Sequence, residues 1–429
     1  MNGTVKPTFA ELVEASFKVG CLGFGGPAGQ IALMHRIFVE EKKWIDEERY
    51  LHALSYCTLL PGPEAQQLAT YIGWLLHGVR GGVVAGALFV LPGALIVFGL
   101  SWLYAVHADA PLVAALFYGI KAAVLALVAE ALIKIGKRAL KTRLDLATAI
   151  AAFIALYLFG LPFPLVILLA ALIGLGRASS SAASPHATPL SQPKASGAFG
   201  AALLWGAAWL APLALSLLVL GPNHVLSQVG VLFSQLAVVT FGGAYAVLAY
   251  LQQQAVDAQH WLSAGQMIDG LGLAETTPGP LILVNQFVGF LAGWQSAGGG
   301  FGMAVLAAAM ASWCTFAPSY LWIFAGAPFA ESLRANRYAG GALKSITAAV
   351  LGVIANLALW FGLHVIFVRD VRFATPWGGS LAAPELTSFE PLAAVIALLA
   401  AVALLRFKAN IVLVIAACAI AGLLRLTLA

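Results

Sequence analysis

A motif broken by glycine and proline occurs twice in this chain, and no other feature limits the fold as strongly. The first copy reads Phe24-Gly25-Gly26-Pro27-Ala28-Gly29-Gln30 and continues downstream as Pro61-Gly62-Pro63-Glu64-Ala65-Gln66-Gln67. A shift of 217 positions carries Phe24, Gly25 and Gly26 onto Phe241, Gly242 and Gly243, and Pro61-Gly62-Pro63 onto Pro278-Gly279-Pro280. Val39, Trp44 and Leu54 land on Val256, Trp261 and Leu271 in the same register. Farther on the register slips by nine, so that Pro92 matches Pro318 and Lys121 falls opposite Thr347. The chain is two copies of one unit, each interrupted at corresponding places. Regular helix cannot run through such clusters, and paired Gly/Pro interruptions in apolar segments point to a transporter's binding site.

The segments that carry these breaks are apolar. Over 429 residues, 61% are hydrophobic and 10% charged, with a mean hydropathy of +0.92. A soluble domain is excluded, and an all-α polytopic membrane protein with the lipid bilayer as its solvent is expected, with about 9–13 membrane segments. Met1 to Phe9 lacks a basic stretch followed by a short apolar run, so no signal peptide is expected. Cys21, Cys57, Cys314 and Cys418 are scattered without metal-ligand spacing, which implies packing residues, no metal and no cofactor. The net charge of +5 sits mainly in loops, where it reports orientation and not nucleic-acid binding.

Glu11 to Met34 reads as two half-helices meeting at the first break. His35 to Tyr50 holds Arg36, Lys42, Lys43 and Arg49 among five acids and reads as an interfacial segment on the cytoplasmic side. Leu51 to His77, broken by Pro61-Gly62-Pro63, either crosses the membrane or turns back. Turning back places Arg80 and the cluster Lys134, Lys137, Arg138, Lys141 and Arg143 on one side, so a re-entrant hairpin is favoured. Helices follow at Val83 to Val106 and Pro111 to Ile133, then a short helical hairpin at Leu144 to Tyr157 and Leu161 to Leu175.

Three parts result: an N-terminal repeat at 1–176, a Ser/Ala/Pro-rich linker with an extra helix (Ala198 to Leu220) over 177–225, and a C-terminal repeat at 226–429. From Ala195 to Leu333 there is no Lys or Arg, in contrast to the equivalent part of the first copy. The extra helix would flip the second copy, giving two inverted-topology repeats with broken helices and re-entrant hairpins. Arg369 and Arg372 would lie outside, against the trend.

Phe-Gly-Gly-Pro at 24–27 with Gln30 and Trp44, and Leu-Pro-Gly-Pro-Glu-Ala at 60–65 followed by Gln67-Leu68-Ala69-Thr70-Tyr71-Ile72-Gly73-Trp74, resemble the chromate transporter family. Thr240-Phe241-Gly242-Gly243-Ala244-Tyr245 and Glu275-Thr276-Thr277-Pro278-Gly279-Pro280 resemble the C-terminal half of its long, two-domain members. The resemblance implies a bacterial inner-membrane exporter of chromate, driven by the proton gradient or membrane potential. Sulfate has the same shape and charge and is the near alternative. A homodimer is left open.

A tetrahedral dianion needs several N–H donors and positive potential, which half-helix N-termini supply. Gly25, Gly26, Gly62, Gly242, Gly243 and Gly279 are therefore expected to offer backbone contacts, with Pro27, Pro61, Pro63, Pro278 and Pro280 setting the breaks. Gln30, Gln67, Tyr245, Thr276 and Thr277 are candidate side-chain donors; the alternative is that they satisfy backbone groups freed by the prolines. Gln66, Asn285 and Gln286 are further candidates of the same kind. Lys121, deep in its helix, is expected to give the dianion one full positive charge or to neutralise a buried acid. Glu64 and Glu275, which do not correspond in the repeat, are proton-coupling candidates; for Glu64, helix capping is an equal reading. No HExxH, GxSxG, paired-Asp or Walker pattern supports an enzyme. A passive anion channel fits the same architecture.

Overall fold

The computed structural model describes residues 7–24, 26–177, 197–241, 243–329, 336–374 and 380–428. Gly25, Gly242, most of the linker and Arg334 lie outside the described residues. Helix dominates, and five helical stretches are long and apolar enough to cross a membrane. The chain divides into two compact units, each drawing on both halves of the sequence. The first comprises Met1–Trp102, Ser181–Ala244 and Thr277–Ala339, and the second Leu103–Ser180, Tyr245–Thr276 and Gly340–Ala429.

In the first unit, α1 (Phe9–Leu22) and α2 (Gly26–His35) flank the first break, as expected. The Thr8 hydroxyl and Glu11 carboxylate close a capping box at the start of α1. Helix α3 (Glu47–Cys57) is capped by Asp46. Helix α4 (Glu64–His107) is interrupted at His77 and at Gly78, whose φ of 63° and ψ of -157° are not helical. Its two arms lie back to back, because a side chain on Gly73 would run into Gly81 and Ala85. Tyr56 of α3 lies 5.9 Å from Tyr71 of α4, ring to ring. A continuous helix would separate them by about 22 Å at 1.5 Å per residue, so the chain doubles back between α3 and the first arm of α4.

Four further helices complete this unit: α8 (Ala198–Leu220), α9 (Val225–Val239), α12 (Val284–Gln295) and α13 (Phe301–Gly326). Small residues let α12 and α13 approach closely, with Gly289 and Gly293 set against Ala307 and Ala311. Trp205 of α8 packs on Tyr320 at 5.1 Å and Phe324 at 5.2 Å.

In the second unit, α5 (Pro111–Ala139) packs against α11 (Ala264–Thr276), α15 (Pro391–Leu405) and α16 (Ile411–Leu428). The short hairpin expected after it is α6 (Arg143–Tyr157) and α7 (Phe163–Arg177). At 15 residues each they reach about 22 Å, short of a roughly 30 Å hydrocarbon core. Arg177 Nη1 holds the fully buried Asp145 at 2.7 Å. Helix α10 (Ala244–Gln252) precedes α11, and α14 (Arg337–Ile366) leads to a two-stranded antiparallel hairpin of β1 (Asp370–Ala374) and β2 (Ser380–Pro384). Apart from that short hairpin the described residues are almost wholly helical, as the all-α expectation has it.

The repeat survives in backbone detail. Wide π-helical turns occupy Arg36–Glu41 and Gln253–Ala258, equivalent positions under the 217-residue shift. Lys43 and His260, also equivalent, share positive φ values of 53° and 54°.

Candidate functional site

Four breaks bring the predicted residues into play, and the geometry of those in the first unit is reciprocal. The Gly62 N–H donates to the Thr240 carbonyl at 3.0 Å, and the Gly279 N–H donates to the Gly23 carbonyl at 3.0 Å. Under the repeat shift Gly62 becomes Gly279 and Gly23 becomes Thr240, so the second break of each copy is bonded to the first break of the other. Four glycines hold the required turns with positive φ: Gly26 at 71°, Gly62 at 108°, Gly243 at 103° and Gly279 at 99°. Only glycine adopts such values at little cost.

The amides expected to meet the anion at the second breaks have other partners here. The amides of Gly62 and Gly279 are donated to carbonyls of the opposite copy, so they are not free donors for an anion in this conformation. Gln30 reinforces the lock. Wholly buried, it donates through Nε2 to the Gly23 carbonyl at 3.1 Å and to the Gly279 carbonyl at 2.6 Å. Gln67 donates to the Pro61 carbonyl at 2.7 Å, which satisfies a backbone group at the break. The Thr276 hydroxyl turns back to the Gly272 and Leu273 carbonyls of its own helix, and Thr277 is buried. Gln66, Asn285 and Gln286 donate to the Phe316 carbonyl, the Thr315 hydroxyl and the Ala94 carbonyl.

Between the breaks lies a cavity of about 20 Å³ lined by Pro27, Gln30, Gly62, Pro63, Glu64, Ala65, Thr240, Gly243, Pro280, Leu281 and Ile282. Four helix starts meet it. Helix α2 begins at Gly26, α4 at Glu64, α10 just after Gly243, and the turn Leu281–Leu283 leads into α12. Each start leaves backbone N–H groups without intrahelical partners and carries up to about half a positive charge. The summed potential favours an anion, and Glu64 is the acid on the wall that opposes one when ionised. The volume holds about one water, less than a five-atom oxyanion needs, so the conformation is closed.

The remaining predicted residues lie in the second unit. Tyr245 O–H donates to Glu275 Oε1 at 2.6 Å. Lys121 Nζ stands 3.4 Å from Asp269 Oδ2, which also accepts from the Tyr104 hydroxyl at 2.8 Å. In this conformation Lys121 therefore faces a buried acid. Asp269 was not singled out from the sequence, although it is an acid inside the apolar stretch Met267–Ala274 and that isolation is the usable signal. The Thr240 carbonyl was missed because a backbone acceptor leaves no mark on residue type.

Among the described residues, no group of His, Cys, Asp and Glu is gathered to hold a metal ion. The four cysteines are free, three of them buried.

No solved structure matches this chain. The family model described as "Chromate transporter" matches residues 10–175 and 227–423. A chain named "Probable chromate transport protein" from Synechococcus elongatus is 28% identical over 93% of this chain and 96% of its own length. "Chromate transport protein" chains from Pseudomonas aeruginosa and Cupriavidus metallidurans are 32% and 30% identical, covering 81% and 82% of this chain and 79% and 82% of their own. With the model running through both copies of the repeat, the chain belongs to the chromate transporter family, whose members are transport proteins and not enzymes.

Proposed function

We propose that this chain moves chromate out of the cell across a bacterial inner membrane, drawing on the proton gradient or the membrane potential, and so confers chromate resistance. The observation that carries the reading is the meeting of four helix N-termini at one cavity built from the breaks of both repeat copies. Such termini bind tetrahedral oxyanions through backbone N–H groups and dipole charge without a fixed cation that would hold the ion too tightly.

In this account Gly26, Pro27, Gln30, Gly243, Thr277 and Pro280 surround the ion. Gly62 and Gly279 exchange their carbonyl partners for substrate as the cavity widens, while Pro61, Pro63 and Pro278 fix the turns. Within the second unit, Lys121 offers a full positive charge to an anion in its own cavity. Glu64 and Glu275 are the proton-coupling carboxylates, because each can shed its charge by binding a proton. The two copies are inverted across the membrane, the form that suits alternating access. The transporting unit is a monomer or a homodimer.

Chromate is the preferred substrate because relatives with both copies carry that name. Sulfate is the second reading, since its shape and charge are the same. Uptake of labelled chromate and labelled sulfate into inverted vesicles, with and without an imposed pH gradient, tests both. Accumulation of chromate above the outside concentration supports a carrier. Mere equilibration points to a passive channel, and preference for sulfate reassigns the substrate.

A further inference from the structure

A second cavity, of about 420 Å³, lies within the second unit and is lined in part by Tyr118, Lys121, Gly265, His364, Glu390 and Arg425. Its charges are not equivalent. Arg425 is committed to Glu390 at 3.5 Å and to the face of Tyr118 at 4.0 Å, and Tyr118 O–H donates to the same carboxylate at 2.9 Å. Lys121 is different. Its partner Asp269 does not line the cavity, and Lys121 is 27% exposed where Asp269 is 6%. Both ion pairs, at 3.4 and 3.5 Å, are longer than the roughly 2.7–2.9 Å of a tight charged hydrogen bond, but Arg425 is held by the Tyr118 ring as well. Asp269 Oδ1 is buried and makes no hydrogen bond among the described residues. Two lone pairs on an enclosed carboxylate are thus left open.

We infer that the Lys121 cavity is an oxyanion site in which the bound dianion draws the lysine ammonium away from Asp269, and Asp269 takes up one proton as it loses that partner. The inference rests on the reading of the chain as an oxyanion carrier and adds Asp269 to Glu64 and Glu275 as a group that links anion to proton. The lysine stem is flexible and its ammonium is a point charge that re-aims at small cost. An anion in the cavity meets that ammonium and the start of α11 at Ser263–Gly265 together. The buried carboxylate then keeps only the Tyr104 hydroxyl, and an unpaired buried charge is relieved by neutralisation. The proton comes from the bulk solution, leaving the buffer as its conjugate base, and bonds to Oδ1, while Lys121 stays protonated throughout.

The groups around Asp269 are few. Lys121 faces it from α5 and Tyr104 from the end of α4, with Asp109 acting on Tyr104. Beyond the lysine stand His364, Asp370, Glu390 and Arg425. Linkage is reciprocal, so protonation of Asp269 frees the lysine and tightens anion binding.

The test uses the purified full-length protein with sulfate, which stays a dianion across the working range. Calorimetric titration in two buffers of different ionisation heat counts the protons taken up per sulfate bound. The wild type is expected to take up close to one, with affinity rising by up to about tenfold for each unit the pH falls. Asp269→Asn is expected to bind sulfate with proton uptake lowered by close to one and a correspondingly shallower pH slope. Lys121→Gln alone strands Asp269, so the double variant Lys121→Gln/Asp269→Asn is used for binding and is expected to lose at least tenfold in affinity while staying folded. Unchanged proton uptake in Asp269→Asn, or wild-type affinity in the double variant, overturns the inference. If vesicles still accumulate chromate in that event, only the linkage fails; if they do not, the carrier reading fails with it.

Discussion

The amide of Gly62 donates to the carbonyl of Thr240 at 3.0 Å, tying the second break of the first repeat copy to the first break of the second. Its counterpart, Gly279 to Gly23, has the same length. Two such bonds interlock the copies, so neither break rearranges alone. A cavity closed around both breaks opens only when the copies shift together, which is the kind of motion alternating access requires.

Valine at Gly62 or Gly279 is expected to abolish transport while leaving membrane insertion intact. Each position has φ near +100°, where a branched residue is strained by roughly 1–3 kcal/mol. An added Cβ would also lie 3.0 Å from Gln67 Nε2 at Gly62, and 3.1 Å from Leu283 Cδ1 at Gly279. Gly99→Ala is a suitable control, because that position faces open space. Gly93 is not, since it packs against Pro278 and Gly279. Transport assays alongside the yield of monodisperse protein check the outcome, and normal transport by both valine variants would remove these turns from the mechanism.

Gln30→Leu is expected to lower stability by about 1–3 kcal/mol, because it removes two buried hydrogen bonds and leaves the Gly279 carbonyl without its donor. The melting temperature in detergent reads this directly. A change within error would mean the amide does not hold the breaks together.

The breaks were legible because glycine and proline punctuate a chain regardless of what surrounds them, and the 217-residue register exposed the duplication. What each break touches was not legible. Hydrogen bonds such as Gly62 to Thr240 run between backbone groups, and the residue types at the two ends carry no sign of the pairing. Lys121 was visible as an anomaly, yet its partner Asp269 sits on another helix far along the sequence, beyond any helical spacing rule. The β1–β2 hairpin was hidden for a similar reason: Arg369 and Arg372 read only as residues lying outside, against the charge trend, and two five-residue strands have too little periodicity to announce themselves.

Arg177→Met is expected to destabilise the protein by roughly 3–5 kcal/mol, since it leaves the buried Asp145 without its cation. Adding Asp145→Asn to that variant should restore much of the loss. Melting temperatures of the single and double variants decide it, and equal values for wild type and Arg177→Met would show the pair to be idle.

A cysteine introduced at Lys42 should react with membrane-impermeant reagents only from the cytoplasm, and one at Gln259 only from the opposite side. These residues end the two equivalent π-helical turns, so their environments match and only their sidedness should differ. Labelling of both from one side would contradict inverted repeats.

The central claim, that the breaks of the two copies form the oxyanion site, is tested most directly by locating a bound ion. Selenate has the shape and charge of chromate and sulfate, and its anomalous X-ray scattering marks one atom unambiguously. Crystals grown with selenate are predicted to show an anomalous peak among Pro27, Gly62, Gly243 and Pro280, in a cavity enlarged beyond the 20 Å³ of the closed form. A fully occupied selenate elsewhere, with that cavity closed and empty, would contradict the account.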